Sequence, residues 1–194
     1  MFVCEIFKSI QGESTYAGLP CVFVRLSGCN LRCSWCDTPY ARVSDDAADL
    51  SVDEVLGRVS ELGCPLVEIT GGEPMLQEEA MELASRLLSA GYTVLIETNG
   101  SVPLRGLDEE VIKIVDVKCP SSGYAGSFLV ENLECIGPQD ELKFVIGNRE
   151  DYEAAKGFLE EMLRGRTEKV LFAPVRPELR PRDLAEWILK DGLR

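Results

Sequence analysis

The chain has 194 residues, 45% of them hydrophobic and 27% charged, with a formal net charge of −13. That length suffices for one domain with a sizeable core, and a surface this acidic repels phosphate backbones, which argues against direct nucleic-acid binding and otherwise reads as solubility. Histidine is absent, so Ser/His/Asp and Cys/His nucleophile arrangements and imidazole metal ligands are excluded.

The amino terminus, MFVCEIFKSIQGES, lacks a basic stretch followed by a long apolar one, and no apolar run approaches bilayer-spanning length. A cytoplasmic protein with no membrane partner is expected. Its eight cysteines then read as metal ligands or small buried residues, not disulfides. CVFVRL (21–26) is the first expected strand. Ser51 and Glu54 form a capping-box signature, with Val52, Val55, Val59 and Leu62 following at helical spacing. LVEIT (66–70) is the next strand, a helix through Leu83, Leu87 and Leu88 follows, and TVLIET (93–98) and VIKIVDV (111–117) are two more strands. The stretch from Ser121 to Asp140 has weak periodicity and is expected to be irregular. ELKFVI (141–146), a helix through Tyr152, Ala155, Leu159 and Met162, KVLFAP (169–174) and a helix through Leu184, Trp187 and Ile188 complete the chain.

Short Val/Ile-rich runs alternating with helices predict an α/β fold: about six buried parallel strands with outer helices. Six strands are too few for a full eight-unit barrel, so an open, partial barrel is the first expectation and a flat, doubly wound sheet the second. One domain, 1–194, is expected, with no internal repeat. The unusual residues follow the strand ends: SGCNLRC, TGGEP, ETNG, KCPSSG, GN and PV. Ligands in such folds bind at the carboxyl ends of strands, so one shared site on that rim is expected.

In GCNLRCSWCDTPY three cysteines, Cys29, Cys33 and Cys36, fall within eight residues. An apolar helical stripe is one reading, but Gly28 and Pro39 bracket a window barely long enough for a helix. A structural zinc site, as in an interaction module, is another. It needs a fourth ligand from Cys4, Cys21, Cys64, Cys119 or Cys135, none of which lies in a second CxxC. A 4Fe–4S cluster is the third. Three thiolates leave one iron open to a substrate or cosubstrate, and this gives the missing fourth cysteine a meaning.

CxxxCxxC after a first strand, with an aromatic before the third cysteine, resembles the signature of radical S-adenosylmethionine (SAM) enzymes, and GGEP at 71–74 resembles their glycine-rich motif. FKSIQGEST, FVRLSGCN, CDTPY, ITGGEP, IETNG and DVKCPSSG together resemble the 7-carboxy-7-deazaguanine synthase family, from near the amino terminus to about Ile146. The resemblance implies ring contraction of 6-carboxy-5,6,7,8-tetrahydropterin to 7-carboxy-7-deazaguanine, for deazapurine-modified tRNA nucleosides. It implies a 4Fe–4S cluster on Cys29, Cys33 and Cys36, with SAM chelating the open iron and cleaved by one electron to a 5′-deoxyadenosyl radical. It places Trp35, Cys36, Asp37, Gly72, Lys118 and Ser121 on SAM, Thr38 on Mg2+, and Ile10, Gln11, Gly12, Arg25 and Thr70 on the substrate. An arginine within an apolar strand also wants an anion on physical grounds, either the substrate carboxylate or a buried carboxylate side chain. The resemblance further implies a homodimer and a low-potential electron donor such as flavodoxin or ferredoxin. Roles for Glu13, Glu97 and Cys119 stay open, and beyond Pro174 no contact is assigned. The competing enzyme reading is a glycyl-radical enzyme activase, which shares the cysteine signature but acts on a partner protein.

Overall fold

A computed structural model describes residues 1–43, 47–163 and 169–193. All six expected strands are present as β2 (Pro20–Leu26), β4 (Leu66–Gly71), β5 (Thr93–Thr98), β6 (Ile112–Asp116), β7 (Glu141–Ile146) and β8 (Lys169–Pro174), each parallel to its neighbours in that order. Two strands were not expected. β1 (Phe2–Ile10) runs antiparallel beside β2, and the two-residue β3 (Ala48–Asp49) borders β1. FVCEIFKSI alternates poorly and is mostly half-exposed, because β1 lies near the sheet edge, where the apolar signal of a central strand is not needed.

The four helices are α1 (Val52–Leu62), α2 (Glu79–Ser89), α3 (Arg149–Met162) and α4 (Pro181–Asp191). The capping box at Ser51 is formed, with Glu54 N–H donating to the Ser51 hydroxyl at 3.3 Å and Ser51 N–H to the Glu54 carboxylate at 2.7 Å. α1 packs on β1 and β2, α2 on β5, α3 on β7 and α4 on β8. The segment from Ser121 to Asp140 holds only short 3-10 turns, as its weak periodicity implied.

The period of two along each strand sorts side chains onto two faces. Val22, Val24, Val67, Ile69, Val94, Ile96, Leu142 and Phe144 form a core that is one continuous cluster. Residues two apart on the other set, Phe23 and Arg25, Glu68 and Thr70, Ile114 and Asp116, Lys143 and Val145, instead line a cavity of about 540 Å3, together with residues from β1, β5 and β8. A sheet in which β1, β2 and β4 to β8 all reach one cavity is curled around it, while its edges, β3 and β8, do not pair with each other among the described residues: an open barrel, not a flat sheet.

Candidate active site

The loop after β2 carries the three cysteines. Cys29, Cys33 and Cys36 are free thiols and all three line the cavity. The loop is held by backbone: Gly28 N–H donates to Ala41 O at 2.8 Å, Glu73 N–H to Gly28 O at 2.8 Å and Gly72 N–H to Leu26 O at 3.0 Å. The two glycines of GGEP make this clamp possible. A Cβ on Gly72 would lie 2.1 Å from Gly28 O, and one on Gly71, where φ is +136°, would lie 2.1 Å from Leu26 O. Glu73 completes the clamp. Fully buried, it accepts Met75 N–H at 3.0 Å, the Thr98 hydroxyl at 2.7 Å and Asn99 N–H at 2.7 Å. Burial raises its pKa and these donors oppose the rise.

The far side of the loop leans on KCPSSG. Trp35 Nε1–H donates to the Ser121 hydroxyl at 3.1 Å, and the Ser121 hydroxyl and N–H donate to Asp151 at the start of α3. Ser121 is not among the cavity-lining residues. Its hydroxyl braces the cluster loop against α3, in contrast to the SAM contact implied for it. Lys118 does line the cavity. Its ammonium lies 2.7 Å from Asp116 and 5.1 Å from the centre of the Trp35 ring, in a buried pair. Burial works against the ammonium, but Asp116 more than offsets it and Lys118 stays charged.

Ile10, Gln11, Gly12, Arg25, Trp35, Asp37, Thr38, Thr70 and Gly72 all line the same cavity. Arg25 donates from Nε to Glu5 at 2.7 Å, so the structure supplies the carboxylate side chain as its partner. Thr38 precedes a 3-10 turn without capping it, and its hydroxyl lies 3.9 Å from Cys36 Sγ. The turn therefore makes no use of that hydroxyl.

Two further cavity residues, Glu68 and Lys143, lie in no motif. The loop after β1 closes the end of the barrel remote from the cysteines, with Gln11 donating to Glu68 and Glu13 accepting from Lys143 at 2.6 Å. Lys143 also donates to Glu97, which accepts the Thr70 hydroxyl at 3.1 Å. Lys143 is desolvated, yet the surrounding carboxylates, Glu97 first, raise its pKa well above the ordinary value. Glu97 is half-buried, which raises its pKa, but Lys143 more than offsets this and holds it down. Glu68 forms no ion pair among the described residues, and burial, then the Glu97 charge, push it up to about 8. One signal in the sequence was available for these residues: a charge inside an apolar strand, as in LVEIT and ELKFVI, which was read for Arg25 alone.

The residues present fit a thiolate-held cluster with an open corner and a polar cosubstrate. Three thiols share the cavity wall, while Cys119, buried, points its Sγ to Val117 O at 3.8 Å and does not line it. Among the described residues three buried polar atoms lack partners, and two of them, Asp116 Oδ1 and Arg42 Nε, belong to residues of this cavity. The polar side chains that line the cavity beside the thiols, Asp37, Asn99 and Lys118 among them, suit a ligand bearing hydroxyl and carboxylate groups. For magnesium the chain offers less. Thr38 supplies one neutral hydroxyl.

A curled sheet of parallel strands with three thiols on the loop after the first of them defines a class. The family model of the Radical SAM superfamily matches residues 23–121, and that class implies a 4Fe–4S cluster and SAM. Two relatives sharpen this. The 7-carboxy-7-deazaguanine synthase of Koribacter versatilis is 48% identical over 208 residues, covering 100% of this chain and 91% of the relative. That of Chlorobaculum tepidum is 42% identical over 195 residues, covering 98% and 87%. The crystal structure of QueE from Escherichia coli superposes with a TM-score of 0.84 at 25% identity, covering 100% of this chain and 91% of that one. The chain belongs to the 7-carboxy-7-deazaguanine synthase family.

Proposed function

We propose that the chain converts 6-carboxy-5,6,7,8-tetrahydropterin to 7-carboxy-7-deazaguanine with loss of ammonia, for deazapurine-modified tRNA nucleosides. The observation that carries this is one cavity lined at its rim by three thiols and at its floor by buried polar groups able to hold a small heterocyclic acid. Cys29, Cys33 and Cys36 would hold the 4Fe–4S cluster. When bound, cluster and SAM together supply the 5′-deoxyadenosyl radical that abstracts substrate hydrogen.

The chain's own residues bind, orient and exclude water. Trp35, pinned by Ser121 and faced by Lys118, is a stiff wall for SAM near the cysteines. Lys118 and Asn99, on the cavity wall beside the cysteines, are placed for its polar groups. Gly72 and Asp37 flank the same region. Arg25 uses only Nε on Glu5, which leaves its remaining N–H groups for the substrate carboxylate. Lys143, Glu97 and Thr70 form a hydrogen-bonded row along the wall, and Ile10, Gln11 and Gly12 close the floor over the pterin. Thr38 would give one oxygen to Mg2+, with substrate oxygens and water supplying the rest.

No helix is long and apolar enough to cross a membrane among the described residues. We read the chain as one cytoplasmic domain that forms a homodimer and takes electrons from a low-potential carrier such as flavodoxin or ferredoxin. The test is anaerobic reconstitution with iron and sulfide, then turnover with SAM, a reductant and carboxytetrahydropterin, with product mass as readout. Formation of carboxydeazaguanine with no partner protein supports this reading. SAM cleavage that needs a second protein as hydrogen donor supports the activase instead.

A further inference from the structure

The cavity carboxylates fall into two groups. Glu13 and Glu97 are bonded to Lys143, and Asp116 to Lys118. Asp37 is exposed. Glu68 is the buried one that forms no ion pair among the described residues, at 3% exposure. Its Oε2 accepts from Gln11 Nε2. Gln11 cannot turn away, because its Oε1 accepts Glu13 N–H at 3.1 Å. Oε1 of Glu68 has no hydrogen-bond partner among the described residues and yet is not sealed in, since it is absent from the buried atoms left without partners. It opens onto the cavity that Glu68 lines. A carboxyl group this buried with no cation beside it is costly unless a ligand supplies donors.

Its neighbours say which donors. Phe23 is directly beside Glu68 in register on β2, and its ring stacks on Phe7 with centroids 5.2 Å apart. Both rings line the cavity, so a flat wall adjoins the carboxyl group. Arg25 pairs with Thr70, one inward position further along, about 8 Å from Glu68 between Cα atoms by strand geometry. A flat heterocycle with a donor edge at one end and a carboxylate at the other matches this order of carboxyl, aromatic wall and guanidinium.

We propose, resting on the function argued above, that Glu68 recognises the aminopyrimidinone edge of the pterin, its carboxylate accepting the ring N3–H and the 2-amino N–H. Two parallel N–H donors suit a carboxylate as they suit no neutral side chain. Glu68 is therefore a specificity residue: a ring with oxygen in place of the 2-amino group presents an acceptor there, which only the protonated carboxyl can meet.

The same contact moves a proton. The ionisable groups facing Glu68 are Glu13 after β1, Cys21 on β2, Glu97 on β5 and Lys143 on β7. Cys21, its thiol pushed to about 12, stays neutral. With Lys143 engaged by Glu13 and Glu97, Glu68 holds a proton in the free protein at neutral pH. Docking of the donor edge favours the ionised form, so that proton leaves to the buffer, and no other bond changes.

The test uses reconstituted, SAM-loaded protein and two redox-inert probes, 6-carboxypterin and 6-carboxylumazine, titrated calorimetrically at pH 7 in two buffers of different ionisation enthalpy. Wild type is expected to release up to about 0.9 proton on binding the pterin. It is expected to bind the lumazine without releasing a proton, because that edge pairs with the protonated carboxyl. Glu68→Gln is isosteric with the protonated carboxyl and should abolish the release and shift the affinity ratio toward the lumazine by about tenfold or more. Equal proton counts and equal selectivity in wild type and variant would overturn the proposal, as would a wild type that binds the pterin without releasing a proton, whatever the variant does. A wild type that binds SAM but neither probe would overturn the function reading itself, and this assignment with it.

Discussion

Replacing Gly72 by alanine tests whether GGEP acts through backbone contact with the cysteine loop. The added Cβ would lie 2.1 Å from Gly28 O, 2.5 Å from Gly28 C and 2.8 Å from Ala41 O. All three are backbone atoms, so no side-chain rotation relieves the clash. The two strands of chain must separate by more than about 1 Å to restore ordinary contact. Overpacking of that kind costs about 1–3 kcal/mol. The hydrogen bonds from Gly72 N–H to Leu26 O and from Glu73 N–H to Gly28 O span the same gap and contribute about 1 kcal/mol each. The expected loss is about 3–5 kcal/mol, or roughly 10 °C in unfolding midpoint for a chain of this size. Gly57, exposed on α1 with nothing within 4 Å of its Cβ position, is the control, and Gly57→Ala should gain about 0.5–1 kcal/mol. The assays are thermal unfolding by far-UV circular dichroism, and iron and sulfide content after anaerobic reconstitution. The Gly72 variant should lose iron as well as stability, because the carbonyl it displaces, Gly28 O, directly precedes Cys29. A Gly72→Ala protein with the wild-type midpoint and a full complement of iron would refute the reasoning.

Cys29→Ala, Cys33→Ala and Cys36→Ala should each abolish iron–sulfur uptake and SAM cleavage, whereas Cys135→Ala, outside the cavity, should retain both; metal analysis and 5′-deoxyadenosine release report the outcome. Glu68 has a folded-state pKa raised from 4.5 to about 8. The native state therefore binds more protons there than the unfolded chain does, and its stabilising contribution, full below about pH 4.5, is lost as pH rises to about 8. Glu68→Gln should thus become more stable relative to wild type across that window, by about 2–4 kcal/mol, and urea midpoints at pH 5 and pH 8.5 that keep a constant gap would contradict this. If the Thr38 hydroxyl ligates Mg2+, Thr38→Ser should keep magnesium-stimulated turnover and Thr38→Val should lose the stimulation while still assembling the cluster. Unchanged metal dependence in the valine variant would assign the hydroxyl a structural role.

The parallel strands, their helices and the cysteine loop were legible in the sequence because each is a local pattern. Val/Ile runs mark buried strands, Ser51 and Glu54 mark a helix start, and CxxxCxxC places three thiols on one short loop whatever the rest of the chain does. β1 was not legible, since a strand near the edge of a sheet with one face half-exposed lacks the continuous apolar signal of its central neighbours. Local pattern also gave no guide to partners distant in sequence. Arg25 meets Glu5 because β1 runs antiparallel beside β2, and Ser121 turns to Asp151 because α3 begins beneath the KCPSSG loop. The contrast between Glu68 and Glu97 was likewise decided only by the tertiary fold. Both are single glutamates in apolar strands, and nothing in LVEIT or TVLIET tells them apart. Lys143, on β7 three strands from β4 and two from β5, bonds Glu97 and leaves Glu68 to Gln11 alone, and in a desolvated cavity one cation held by one of two carboxylates leaves the other holding its proton.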